Sequence, residues 1–281
     1  MFKVALFFIT CFVCCLAQLY GATTGLGEYK SSDIVRIDPS NGNFSLSCPW
    51  HFGIQTIGIF PDRTRNTLLA VSNFDRTAIV FKYELGTCDV FENWQLPISS
   101  PTGFRYDSET DGFYLGGTGR NHTYNIYFSL SRGGMLDEIV SIPDVIGTTM
   151  DGYALGGGLY LAPVVTRDNG HVSFLVDIKK RIVIRKYNSW YKNVAIVPNG
   201  KLLIQADGGN LNLIENDGTV RTMCRGVYKK LIVKGGYSVN NDFAYILTGD
   251  YKENLLYTVN LRTCESTFTN LPVAPWYLVT E

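Results

Sequence analysis

The sequence predicts an all-β chain folded as a six-bladed β-propeller of four-stranded blades, with a period of about 44 residues and a last blade closed by N- and C-terminal strands. Three observations predict it. Apolar residues follow no sustained helical period; they fall in short runs of Val, Ile, Leu, Phe and Tyr between Gly, Asn, Asp and Pro. Six segments share one grammar of strand, polar turn and strand: IVRIDPSNGNF, VFKYELGTCDVF, YFSLSRGGMLDEI, FLVDIKKRIVI, LNLIENDGTVRTM and LYTVNLRTCESTF. The residues that open those turns, Asp38, Glu84, Ser131, Asp177, Glu215 and Asn260, are spaced by 46, 47, 46, 38 and 45 residues.

Along the chain, residues 1–17 set Lys3 before an apolar run from Val4 to Leu16 and end on small residues, the pattern of a secretory signal peptide cut before Gln18. The run is short for a bilayer core of ~30 Å. Residues 18–281 then form a single propeller domain, secreted and extracellular, with no membrane span. Between the hairpins lies a second recurring unit, as in IGIFPDRTRNTLLAVS and VAIVPNGKLLIQAD, so each period holds four strands. From Asn260 to the C-terminus is 21 residues and from the cut to Asp38 another 21, together about one period. Joining the two ends in one blade pairs the edges that an open array leaves exposed. A β-sandwich, the competing architecture, has no reason to repeat at this interval.

The stretch KLLIQADGGNLNLIENDGTV looks at first like a calcium loop. It fails as one, because, with Asp207 as position one, positions three and five are Gly209 and Leu211, which carry no side-chain oxygen. It reads instead as the fifth blade, with turns at Pro198–Gly200, Asp207–Asn210 and Asn216–Gly218. The glycine-rich GGTGR and LGGGLYL lack a following helix, so they are close-packing or turn sites and not phosphate loops. Twenty-five basic residues balance twenty-five acidic ones, which leaves no field to draw nucleic acid.

Four cysteines remain after the leader: Cys48, Cys88, Cys224 and Cys264. An oxidising compartment makes disulfides the expectation, with three possible connectivities. Only Cys48 with Cys88 and Cys224 with Cys264 joins neighbouring blades in both bonds, each across 40 residues. The obstacle is phase. Cys88 and Cys264 lie four residues past their turn anchors and Cys48 and Cys224 ten and nine past theirs, and five or six residues at ~3.3 Å each could place the sulfurs at opposite ends of adjacent outer strands. Two glycosylation sequons, at Asn43 and Asn121, sit in polar surroundings.

The unit VPNGKLLIQADGGNLNLIENDGTV resembles blades of the propellers typified by the senescence marker protein/gluconolactonase family and its lactonase and strictosidine-synthase relatives. That resemblance implies a divalent ion, Ca2+ among the candidates, held in the central channel by a Glu, an Asp and Asn residues, and lactonase or esterase-like hydrolysis. Matched one at a time, those roles find Asn193 and Asp144 in this chain, and no Glu in any connection from one blade to the next. The reading from the residues themselves is no catalytic set, no metal and no cofactor.

Those connections, CPWHFGIQT, LPISSPTGF, IPDVIGTTM, YNSWYKNVA, CRGVYKKLI and LPVAPWYLV, are rich in aromatic rings. Three of the four Trp residues fall in them. His51, Phe52, Gln55, Trp190, Tyr191, Asn193, Tyr228, Lys229, Trp276 and Tyr277 are therefore the candidate ligand-binding residues, an aromatic-walled pocket with polar handles at the mouth of the channel. Packing between blades is the competing use of these rings. The expected function is binding of a small aromatic or amphipathic molecule, such as a pigment or signalling molecule. The alternatives are the metal-dependent hydrolase and an extracellular protein-interaction module.

Overall fold

The middle strands of the repeat carry near-continuous apolar runs, such as LYLAPVVT and FAYILTG, because both faces of each sheet are covered. The computed structural model describes residues 19–23, 33–48, 56–62, 66–74, 77–96, 102–107, 112–118, 122–130, 136–148, 152–156, 158–168, 170–197, 203–229, 232–240, 242–249, 253–273 and 275–280. Among them there is no helix.

Among the described residues, six antiparallel sheets account for every strand. The first sheet runs, from inside outward, β25 (Pro275–Thr280), β1 (Leu19–Thr23), β2 (Ile34–Ile37) and β3 (Phe44–Cys48). The second is β4 (Thr56–Asp62), β5 (Thr67–Phe74), β6 (Thr77–Glu84) and β7 (Val90–Leu96). The third is β8 (Thr102–Asp107), β9 (Gly112–Thr118), β10 (Tyr124–Leu130) and β11 (Leu136–Ile142). In the fourth, β14 (Leu159–Thr166), β15 (His171–Asp177) and β16 (Ile182–Tyr187) lie outside two short strands, β12 (Val145–Thr148) and β13 (Tyr153–Gly156). The fifth is β17 (Val194–Ile196), β18 (Leu203–Asp207), β19 (Asn210–Ile214) and β20 (Val220–Cys224). The sixth is β21 (Ile232–Asn240), β22 (Phe243–Gly249), β23 (Asn254–Asn260) and β24 (Ser266–Asn270).

The sheets close into a ring. Their inner strands touch in the cyclic order β25, β4, β8, β13, β17, β21 and back to β25. Six buried apolar clusters occupy the six sheet-to-sheet spaces. The closing space is filled by Leu19, Val35 and Ile37 of the first sheet against Tyr245, Leu247 and Leu256 of the sixth. Closure rests on the termini, as the sequence predicts: C-terminal β25 pairs antiparallel with N-terminal β1, Leu19 opposite Thr280 and Gly21 opposite Leu278. The fold is an all-β propeller.

One element departs from expectation. IPDVIGTTM is no simple connection, because β12 forms within it and pairs with the far end of β14, leaving β13 as the part of the fourth sheet that faces the channel. The inner strand splits where it meets its neighbour. A Cβ on Gly103, which has φ +61°, would overlap the Gly152 carbonyl and the Tyr160 hydroxyl, so two backbones meet there that no side chain could separate. Gly116 of the GGTGR stretch likewise faces the hydroxyls of Tyr124 and Tyr160, which share a buried hydrogen bond of 2.8 Å.

The turns between third and outermost strands hold a repeated backbone device. After Asp38, Glu84 and Asn260 the anchor accepts a bond from the amide four residues on, Gly42, Cys88 and Cys264 respectively. That fourth residue is left-handed each time, at φ 75°, 63° and 61°, and Arg181, four past Asp177, matches it at 59°. A non-glycine residue held in this region costs roughly 1–2 kcal/mol, so something must hold it there. In each turn it is the position that meets the preceding sheet's outer strand. Cys88 is bonded to Cys48 and Cys264 to Cys224, with Cα–Cα distances of 5.1 and 5.4 Å. Arg181 donates to Asp137 of β11 at 3.1 Å, and a Cβ on Gly42 would overlap the Asn270 carbonyl of β24.

The disulfides thus join the pairs the sequence favours. Sheet twist overcomes the phase obstacle: roughly 20–25° per step accumulates to about 60–75° from inner to outer strand. The outermost strands then lie nearly along the rim, so the end of one points at the turn of the next sheet.

Candidate binding face

Chain direction puts the connections between sheets on one face, together with the turns joining second to third strands. In the fourth sheet the hydroxyl of Ser173, fully buried near the start of β15, organises the connection. It donates to the Ser189 carbonyl at 2.9 Å and accepts from the Tyr191 amide at 3.1 Å. Trp190 stands between those two bonds. Its ring is 41% exposed and stacks on His171, centroids 5.3 Å apart and planes 12° from parallel. An indole held face-on by imidazole is presented, not folded away.

The adjacent Tyr191 does the opposite. It is buried against Tyr187 in the space between fourth and fifth sheets, and its hydroxyl donates to the Gly218 carbonyl at 2.8 Å. Burial raises the phenol pKa of both tyrosines. Tyr228 is also core, edge-on to Tyr257 between fifth and sixth sheets, and its hydroxyl has no hydrogen-bond partner among the described residues. Desolvation pushes its pKa up to about 12. Its loop is pinned at its base, where the Val227 amide donates to the Gly209 carbonyl at 2.9 Å and the Gly226 amide to Asn210 Oδ1 at 3.0 Å.

Asn193 and Asp144, the two residues matched to metal-ligand roles, occupy equivalent positions. Each directly precedes an inner strand, each is left-handed at φ 52° and 59°, and each carbonyl accepts a backbone bond from its own sheet, from Ala206 at 3.1 Å and Arg167 at 3.0 Å. Asn and Asp tolerate that conformation better than most residues, and the Asn193 amide further donates to the Tyr153 hydroxyl at 2.8 Å. Among the described residues no three His, Cys, Asp or Glu side chains gather to hold a metal ion.

Lys229 and Arg225 are exposed on the same face, and Lys192 lies 3.9 Å from Asp207, bridging the fourth sheet's connection to the fifth sheet's turn. The structure therefore places Trp190, Lys229 and Arg225, another cation of the same connection, on one exposed face with the newly found His171 and Lys192, and sends Tyr191 and Tyr228 into the core. Trp276 and Tyr277 lie on β25, which lines the channel. His51, Phe52, Gln55 and the sequon residue Asn121 lie outside the described residues, as does the leader. Asn43 is exposed in the turn between β2 and β3.

No family model matches the chain, and no curated protein matches it in sequence. Solved structures do match its fold. A TolB structure from Acinetobacter baumannii superposes with a TM-score of 0.66 at 11% identity, over 94% of this chain and 66% of that one. A chain of a nidogen/laminin complex gives 0.66 at 12% identity, over 94% and 98%. Luciferin-regenerating enzyme gives 0.56 at 12% identity, over 78% and 77%. At such identities the likeness shows a β-propeller fold alone.

Proposed function

We infer that the chain is a secreted six-bladed propeller that acts as an extracellular protein-interaction module, through the face that carries Trp190. The single observation behind this reading is the Trp190 ring, 41% exposed, stacked on His171 and fixed from behind by Ser173. A small-molecule site encloses most of its ligand. Here two of the expected pocket rings are core, and the one on display sits among cations and hydrogen-bonded loops, the setting of an interface anchor. Two disulfides support an oxidising, extracellular location. One structure of similar fold is that of a complex between two proteins, nidogen and laminin.

The test replaces Trp190 with a photo-crosslinking amino acid, with Phe268 on the outer strand β24 as the control site, in chain returned to its source fluid. Cross-links to one discrete partner from position 190 and none from 268 support the reading; equal labelling from both ends it. A second reading, a small amphipathic ligand in the channel, is favoured by Trp276 and Tyr277 on the innermost strand β25. Native mass spectrometry of secreted protein separates the two, because a channel ligand adds a discrete mass of a few hundred daltons at most, while a protein partner adds that of a polypeptide. The lactonase-like reading ranks below both, since its two matched residues already serve as strand caps.

A further inference from the structure

The outer strands of most sheets hide part of their apolar surface by alternation or by ending in the core. β16 does neither. Its sequence is IVIRKY, and every residue before Tyr187 is exposed. Ile182, Val183 and Ile184 are 47%, 41% and 43% exposed, three of the eight large apolar side chains exposed among the described residues; they are consecutive in the strand and so project to both of its faces, with a shift in the pairing with β15 at Ile184. β16 ends the hydrogen-bonded order of its sheet, so one row of its backbone amides and carbonyls faces outward. β-Branched residues suit such an extended pairing surface.

Charge specifies what can lie there. From Asp177 to Tyr187 the chain reads DIKKRIVIRKY, five cations and one carboxylate, and that carboxylate is engaged by Lys180 at 3.1 Å. Lys186 reaches over the Phe174 ring at 5.8 Å and Arg181 is paired with Asp137 at 3.1 Å, so the cations flank the apolar triplet on both sides. A second copy of the same strand would set like charges against like, which is unfavourable across a sheet. We propose that the β16 edge is a docking site for an extended segment of another protein, in which a short aliphatic run is flanked on both sides by acidic residues and which adds as a further strand. The backbone ladder would supply affinity, the Ile182–Ile184 triplet would take the aliphatic side chains, and Arg185, Lys186 and Lys179 would face the acidic ones. The site is the strand that leads into the Trp190 connection, and its test reads β16 amides, so it stands or falls independently of the Trp190 reading.

The test titrates the full secreted chain with a fluorescein-labelled peptide in which a run of three Val is flanked on each side by Glu, read by anisotropy, with hydrogen exchange on the complex. The expected result is saturable binding that weakens about tenfold or more between low and high salt, with new protection confined to β16 amides. Arg185→Glu with Lys186→Glu lowers affinity about tenfold or more while the melting temperature falls by no more than about 2–4 °C, the worth of the exposed Lys186 contact with Phe174. A peptide carrying Lys for Glu fails to bind, and one with a central Pro, which removes a ladder donor, binds far more weakly. Indifference to the charge reversal, equal binding of the Pro peptide, or protection elsewhere overturns the proposal. A concentration-dependent dimer that protects β16 without peptide overturns it too, in favour of a second copy.

Discussion

Removing the Cys224–Cys264 bond tests both the disulfide and the left-handed turn that holds it. The bond closes a loop with a sequence separation of 40. Chain entropy for a loop of that length gives about 13 cal/mol/K, or about 4 kcal/mol at room temperature. Replacing both cysteines with Ala should therefore lower stability by about 4 kcal/mol. At roughly 2–4 °C per kcal/mol for a chain of this size, melting falls by about 8–16 °C. Because Cys264 sits at φ 61°, pairing Cys224→Ala with Cys264→Gly should recover about 1 kcal/mol relative to the double alanine variant. The Cys48–Cys88 bond has the same separation of 40 and a Cys88 φ of 63°, so the matching substitutions should give the same two numbers. Calorimetry of oxidised protein reads both. A loss under about 1 kcal/mol, or a Gly variant no better than the Ala one, refutes the reasoning.

Other outcomes follow from single side chains. Ser173→Ala leaves the buried Tyr191 amide without its acceptor and should cost about 1–3 kcal/mol, with an altered Trp190 emission that a distant core substitution of equal cost would not produce. Gly116→Ala drives a methyl group into the hydroxyls of Tyr124 and Tyr160 and should cost about 1–3 kcal/mol or more by thermal melting. The Tyr228 phenol stays protonated in the folded chain up to about pH 12, whereas the unfolded chain ionises it near 10, so stability present below pH 10 is lost as pH rises from there to about 12. Tyr228→Phe should flatten that part of the denaturant-midpoint profile. At the acid end, bonds from Ser40 hold the Asp38 pKa below its usual 3.8, and bonds from Thr219 do the same for Asp217. Their support is present above 3.8 and is lost as pH falls through the lowered values, so Asp217→Asn should lessen the acid sensitivity of unfolding.

The fold was legible because its physics repeats. Each sheet must turn at the same place, so Asp38, Glu84, Asp177, Glu215 and Asn260 recur at blade spacing and mark turns between third and outermost strands. The cysteine pairing was legible for the same reason, although its geometry needed the twist of whole sheets, which no local pattern expresses. The equivalence of Gly42, Cys88, Arg181 and Cys264 was harder to see. The four residues share a backbone angle and a docking role but no one side-chain chemistry: two are disulfide-bonded, one is ion-paired and one has no side chain.

The face was legible only in outline. Trp190 and Tyr191 are neighbours with similar rings, and one is displayed while the other is core. What separates them is the Ser173 hydroxyl, bonded on either side of Trp190 from another strand, a contact across 16 and 18 residues that aromatic content cannot reveal. His171 was missed for a related reason: its value lies in stacking on Trp190, which only the fold brings to it. Asn193 and Asp144 drew attention as oxygen ligands, while a left-handed strand cap explains the same residue types.

The measurement closest to the central claim is a binding titration of wild-type chain, Trp190→Ala and Phe268→Ala against the partner captured by cross-linking at position 190. An interface anchor is worth about 2 kcal/mol or more, so Trp190→Ala should bind roughly thirtyfold more weakly while Phe268→Ala binds as the wild type does. Equal affinity for all three would contradict the assignment of that face as the recognition surface.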